Sequence, residues 1–321
     1  MNLRRHRAIL LAYLGMIVLL LLTSVVAPGF LSPTHLRSTA VLAAFIGIVA
    51  LGQTFVIIGG GIDLSVPWVL NSAAVLMTLL AGSQDAPLVW IVPLLLAAGA
   101  LVGMVNGLGV ALFGVPPIIM TLAVNVILQG GILVYTGGAP TATAPPAIQF
   151  LAVGRILGFP VVVLIWIVLA VVATILLSKS AFGRYLYAVG TSATVAEFSG
   201  VPTFRTTVLA YTLSGFTAAL AGMLLTGYTA QAYLGMGDPY LFTSIAAVAI
   251  GGASILGGSG HYIGTIAGAL VLTILTGLLL SSGALLIVYG VVILVTVSLA
   301  SEAVTSLASF LPRFGRRQSP S

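Results

Sequence analysis

The apolar positions of this chain come in long unbroken runs, not in strict alternation and not in narrow helical stripes. A run of about 20 apolar residues is what an α-helix needs to cross a bilayer. Runs at 8–27, 39–58, 66–81, 88–112, 118–135, 160–177, 206–227, 240–256, 262–281 and 284–301 predict about ten such helices. Breakers separate them: Pro28-Gly29, Gly59 to Gly61, Asp85 to Pro87, Gly114 to Pro117, the proline-rich "GGAPTATAPPAIQF", and the polar stretch from Lys179 to Pro202. Further along come Gly235 to Pro239, Gly257 to Gly260 and Ser281 to Gly283. The predicted class is an all-α polytopic membrane protein with broken or re-entrant segments, residues 1–321 forming a single transmembrane domain. A β-barrel would show alternating segments instead.

Local chemistry predicts several helix starts. Ser32-Pro33 and Asp238-Pro239 each set a capping acceptor before a proline at N1, where the missing N–H is harmless. Ser65 is the expected cap of the third span, with Pro67 in the first turn. Capping by Asp63 would push Pro67 to about N4, where its N–H is needed.

Composition agrees: 60% of residues are hydrophobic and 5% charged, with a mean hydropathy of +1.24. Soluble domains carry about a quarter charged residues. The net charge of +6 is spread in short clusters beside apolar runs, an orientation signal and not a nucleic-acid footprint. Arg4, Arg5, Arg7, Lys179, Arg184, Arg205, Arg313, Arg316 and Arg317 fall on one side of an even-span topology, leaving Arg37 and Arg155 opposite. The positive-inside rule then places both termini, the 178–205 loop and a tail at about 302–321 in the cytoplasm. The basic, apolar N-terminus is read as a retained first span, its apolar run being too long for a signal peptide.

Polar residues within this apolar body carry the functional question. "GGGIDLSVPWVL", from Gly59 to Leu70, reads either as a surface loop or as a helix break lining a transport path. Thr121, Asn125 and Gln129 recur every four residues on the fifth span, and Gln53, Asn71 and Asn106 lie on neighbouring spans. Such residues either bond helix to helix or meet an uncharged, hydroxylated solute. Few intramembrane charges argue against ion coupling. Gly99, Gly103 and Gly107, then Ser214, Ala218 and Gly222, then Gly264 and Gly268, are small-residue stripes that fit packing within a bundle or between subunits. "TVAEFSG" predicts a short amphipathic helix ended by Gly200 and Pro202, as plain connector or as docking element. The sequence has no cysteine, its histidines His6, His35 and His261 are isolated, and no GxxxxGK[ST] occurs. No enzymatic chemistry is expected on this chain.

Four stretches, in order, carry a family resemblance: "GQTFVIIGGGIDLSVPWVL", "GMVNGLGVALFGVPPIIMTLAVNVILQGG", "SAFGRYLYAVGTSATVAEFSGV" and "SIAAVAIGGASILGGSGHYIGTIAGALVL". Together they resemble the permease subunits of ribose-type ABC importers over roughly residues 39–300. The resemblance implies a bacterial inner-membrane permease importing a monosaccharide or related polyol. It implies a periplasmic or extracellular sugar-binding protein, a cytoplasmic ATPase that holds ATP and Mg, and a second permease copy or paralogue, with no cofactor on this chain. The translocation path would then involve Gly60, Asp63, Ser65, Asn71, Asn106, Thr121, Asn125 and Gln129. The ATPase-coupling segment, about 183–201, would include Gly183, Arg184, Gly190, Ala196, Glu197, Ser199 and Gly200. Pro67, Gln129, Glu197 and the "LLLSSGALLIVYG" stretch depart from the family pattern, and admit a heterodimer as well as a homodimer. A nucleoside or branched-chain amino-acid importer, or a stand-alone channel or carrier, are the rival readings.

Overall fold

A computed structural model of the chain describes residues 3–26, 29–139 and 142–278, with a few isolated positions between 287 and 294. The predicted tenth span and the C-terminal tail therefore lie outside the described residues. The elements run α1 (Leu3–Val26), α2 (Pro33–Ile58), α3 (Val66–Ala81), α4 (Leu88–Ala111), α5 (Pro117–Thr136), α6 (Pro146–Val153), β1 (Arg155–Ile156) and β2 (Phe159–Pro160). They continue through α7 (Val161–Lys179), α8 (Ala181–Thr191), α9 (Ala193–Phe198), α10 (Thr203–Thr229), α11 (Tyr240–Ile250) and α12 (Tyr262–Leu278). Among the described residues α2, α4, α5, α7 and α10 are long and apolar enough to cross a membrane. Shorter apolar stretches lie in α1, α3, α11 and α12.

α2 is the shaft of the bundle. From Ala43 to Ile58 all its residues are buried, with α10, α11, α12 and α7 packed round it. It starts as its sequence dictates: the Ser32 hydroxyl accepts from His35 N at 3.3 Å, and Pro33 opens the first turn. The glycine stripe of α4 resolves as packing within the chain. Cβ atoms on Gly99, Gly103 and Gly107 would collide with the backbone of α10 at Gly215, Tyr211 and Val208. Gly222 of α10 lies as tightly on Leu70 of α3, Gly268 of α12 on Ala247 of α11, and Gly264 on Gly251 just past the end of α11. α4, α5 and α7 turn large apolar side chains outward, among them Leu101, Ile127 and Val168, as a bundle in lipid does.

Several details differ from expectation. The predicted span 240–256 stops at Ile250, because Gly251-Gly252 ends the helix, with Gly252 at φ +83°. Residues 251–261 are then irregular, and Gly257, Gly258 and Gly260 take positive φ. Helix α11 starts at Tyr240, one residue later than an Asp238 cap requires, and no side chain caps it. Ser65 occupies the N-cap position of α3 but in a helical conformation (φ −81°, ψ −13°) without a capping bond. Its hydroxyl is engaged elsewhere. α6, the β1–β2 hairpin and α8 were not anticipated. α6 begins at the second of two prolines, Pro146, a residue suited to N1. The hairpin turns on Leu157 (φ +51°) and Gly158 (φ +85°).

Candidate functional site

α2 ends in a glycine turn. Gly59 N donates to Phe55 O (3.0 Å), Gly60 N to Ile57 O (2.9 Å) and Gly61 N to Val56 O (3.0 Å). Gly60 sits at φ +85°, where a side chain would be strained. Between this turn and α3 the backbone has left the helical ladder, so its polar groups need other partners. Side chains supply them. Gln53 Nε2 donates to Asp63 O (2.9 Å), and Asp63 N donates back to Gln53 Oε1 (3.2 Å). Leu64 N donates to Thr121 Oγ1 at 3.0 Å, and that hydroxyl donates to Pro117 O at 2.9 Å.

The Asp63 carboxylate is fully buried and accepts three hydrogen bonds. Oδ1 accepts from Ser65 N (2.9 Å) and Ser65 Oγ (2.6 Å). Oδ2 accepts from Ser214 Oγ of α10 at 2.7 Å. Asn106 Nδ2 of α4 donates to Ser65 Oγ (2.8 Å), and Trp68 N donates to Asn125 Oδ1 of α5 (3.3 Å). One network thus joins α2, α3, α4, α5 and α10 at the break. It unites Asp63, Ser65, Asn106, Thr121 and Asn125 of the predicted path residues. Asn71 lies outside it and donates to Tyr233 O at 2.9 Å. Gln129, half-buried two turns beyond Thr121, is also outside.

The segment predicted to couple to an ATPase folds as two short helices. Ser180 Oγ accepts from Gly183 N (3.1 Å), and Ser192 Oγ accepts from Val195 N (3.3 Å), so each serine starts a helix. α8 buries Gly183, Leu186 and Val189. Gly183 lies on the last carbonyls of α7. α9 buries Ala196, and Gly200 (φ +78°) ends it. Arg184, Glu197, Ser199 and Gly200 are exposed. So are two large apolar side chains, Val195 at 63% and Phe198 at 89%.

Glycines tie this segment to the break. A Cβ on Gly190 would overlap Ile58 O and stand 2.5 Å from Gly258 N. A Cβ on Gly257 would stand 2.6 Å from Gly190 O and 2.8 Å from Gly60 Cα. Gly258 N donates to Ile58 O (2.9 Å), and Tyr187 Oη donates to Gly260 O (2.8 Å). The end of α2, the end of α8 and the 251–261 loop therefore meet backbone to backbone. On the same side, a cavity of about 350 Å³ lies between the Gly59–Gly61 turn, the end of α4, α8, α9 and the start of α10. Glu197 and Gly60 line it. Sequence reading singled out Gly60, Gly190 and the "GGSG" run separately, but a contact between residues this far apart leaves no local signal. As one of the small residues of the α10 stripe, Ser214 gives no local sign of its bond to Asp63, which spans 151 positions.

Residues 36–299 match a family model described as the branched-chain amino acid transport system permease component. The ribose import permease RbsC of Bacillus subtilis is 37% identical over 293 residues, covering 89% of this chain and 91% of that protein. The same-named permease of Haemophilus influenzae is 35% identical, with the same shares covered. The autoinducer 2 import permease LsrD of Yersinia enterocolitica is 34% identical over 68% of each chain. The chain belongs to the ribose-type ABC importer permease family, a family of multi-pass membrane proteins. No solved structure matches it significantly.

Proposed function

We propose that this chain is the membrane-spanning permease of an ATP-driven importer for a monosaccharide or related polyol, with ribose as the first cargo to test. The observation that carries the mechanism is the glycine junction of Gly60, Gly190 and Gly257. Backbones in direct contact transmit displacement, because close-packed interiors shift between discrete arrangements and do not deform smoothly. A push on α8 and α9 reaches the end of α2 through Gly190, and the Asp63 network passes it to α3, α4, α5 and α10. The exposed Val195 and Phe198 of α9 give a cytoplasmic ATPase an apolar grip. ATP and Mg are held by that ATPase, and this chain carries no cofactor. A periplasmic sugar-binding protein delivers cargo, and a second permease copy or paralogue completes the path.

The names of the ribose import permeases to which the chain is similar favour a sugar over an amino acid. Asp63 is fully buried and already accepts from Ser65 and Ser214, so it presents no exposed carboxylate to an amino acid's ammonium group. In this reading Asp63, Ser65, Asn106 and Thr121 hold the break in shape, Asn125 pins α5 to α3, and Asn71 fixes the 230–239 loop. Gly60 and the Gln129 side of α5 face the moving solute. The chain is one domain of ten spans in the bacterial inner membrane, with both termini and the 183–201 segment cytoplasmic. The basic residues support that orientation. The test is ribose uptake into proteoliposomes holding the permease, its ATPase and its binding protein. Uptake that requires ATP, and a drop in uptake with Glu197→Arg in an assembled complex, support the reading. Uptake without the ATPase overturns it.

A further inference from the structure

The tip of the β1–β2 hairpin is at odds with its own turn. Arg155 pairs with Pro160 and Ile156 with Phe159, so Leu157 and Gly158 form a two-residue turn. Both take positive φ, +51° and +85°. Such turns ordinarily place Asn, Asp or Gly first, because other L-residues are strained there. Here the position holds a leucine, and it is 94% exposed. Ile156 and Phe159, a cross-strand pair, are 47% and 64% exposed. Arg155 is exposed beside them.

The surroundings of the hairpin point to what covers this tip. Val161 N donates to Gly154 O at 3.0 Å, so the hairpin stands on the first turn of α7. The intervening chain keeps Leu157 within about 13 Å of Val161. The outward face of α7, with Val168, Val171 and Ile175, meets lipid. The apolar stretch of that helix, from Val161 to Leu177 ahead of Lys179, is about 26 Å long. A hydrocarbon core is about 30 Å thick, so α7 alone falls short of it. Exposed rings also gather at this end of the bundle: Trp90 in the first turn of α4 and Tyr135 in the last turn of α5. Ser83 Oγ lies 2.7 Å from Thr143 Oγ1, and Asp85 Oδ1 accepts from Ala147 N at 2.8 Å, which ties the loops at these helix ends together beside α6. Membrane–water interfaces select aromatic rings at one level.

We propose that the hairpin is a lipid anchor, with Ile156, Leu157 and Phe159 entering the interface of the outer leaflet and Arg155 pairing with lipid phosphate. The tip supplies the apolar length that α7 lacks at its outer end. The strained backbone of Leu157 is kept for its side chain: asparagine suits the turn and not the lipid. Continuity with the lipid-facing side of α7 favours a bilayer over a soluble protein as the cover. The inference rests on the membrane orientation proposed above and not on the identity of the cargo.

The chain has no cysteine, so Leu157→Cys gives a unique thiol for a nitroxide spin label. The permease–ATPase complex is reconstituted in vesicles of phosphatidylethanolamine and phosphatidylglycerol, without binding protein. Collisions of the label with oxygen, which concentrates in lipid, are compared with those of a water-soluble nickel chelate. Val168→Cys on the lipid face of α7 and Gln84→Cys in the exposed α3–α4 loop are the references. At position 157 the chelate collisions should fall severalfold below those at 84, with oxygen collisions approaching those at 168. Chelate access equal to that at 84 overturns the anchor. Exclusion of both probes shows a protein cover, such as a second permease copy, and overturns it too. So does exclusion of the chelate only after binding protein is added. Leu157→Asn, which relieves the turn, should nonetheless lower the thermal midpoint of the complex in these vesicles, and a raised midpoint overturns the lipid role. Gln84→Cys should also react with an impermeant maleimide from outside intact cells. If it reacts only from the cytoplasmic side, the orientation falls and the outer-leaflet assignment with it, whereas failure at 157 alone leaves the orientation standing.

Discussion

Replacing Gly190 by alanine puts one methyl group where the backbone has no room. That methyl overlaps Ile58 O and stands 2.5 Å from Gly258 N. Overpacking of this kind costs about 1–3 kcal/mol. Displacing Gly258 also stretches its 2.9 Å bond to Ile58 O, a loss of about 1 kcal/mol. Alanine returns up to about 1 kcal/mol through helix propensity in α8. The remaining destabilisation of about 1–3 kcal/mol is concentrated at the contact between coupling segment and break. The assay measures ATP hydrolysis and ribose uptake in the same proteoliposomes, together with the thermal midpoint of the purified complex. Gly190→Ala should lower the midpoint and depress the ratio of sugar moved to ATP hydrolysed. Gly15→Ala on α1 is the control, since nothing lies within 4 Å of the added methyl; it should leave the ratio unchanged and the midpoint equal or slightly raised. A Gly190→Ala complex with wild-type midpoint and wild-type ratio would show that the junction bears no force.

Three other substitutions probe separate parts of the site. Asp63→Ala removes the acceptor of three hydrogen bonds and should cost about 1–3 kcal/mol for each donor left without a partner. The readout is the yield of folded permease after detergent extraction, and Asp63→Asn should recover part of it. Thr121→Val keeps the shape but strands Leu64 N, so a loss of about 1–3 kcal/mol is expected in thermal unfolding. Phe198→Ser changes a side chain that is 89% exposed. It should leave the thermal midpoint of the isolated permease unchanged while weakening co-purification of the ATPase, and an undiminished ATPase yield would argue against α9 as the docking element.

Most helices were legible because lipid and core both demand apolar runs, and the Ser32-Pro33 start follows from capping chemistry alone. The α9 helix was legible too, from "TVAEFSG" with Gly200 and Pro202 at its end, while the Ser192 cap was not. What stayed hidden depends on context. The α11 end at Ile250 lies inside a run as apolar as the helix itself, and only a glycine pair marks it. The hairpin turn uses Leu157 at φ +51°, a residue that gives no turn signal. α8 is hidden in the polar stretch 179–202 because it is short and follows α7 with only Ser180 between them, although Gly183, Leu186 and Val189 bury one face. Within the site, Asp63 stood out as a lone acid in an apolar stretch, and Ser65, Asn106, Thr121 and Asn125 as polar residues on separate spans. That they form one network, completed by Ser214 from 151 residues away, is a property of helix packing.

The burial of α2 bears on how the transporter senses its surroundings. From Ala43 onward this helix touches protein on all sides, whereas α4, α5 and α7 carry the outward apolar faces. Changes in lipid thickness or lateral pressure act first on those outer helices. The shaft that ends at Gly59 is sheathed from them, much as a cable core is shielded by its jacket. Bilayer composition should therefore alter the stability of the assembled protein more than the geometry at the Gly59 end of α2.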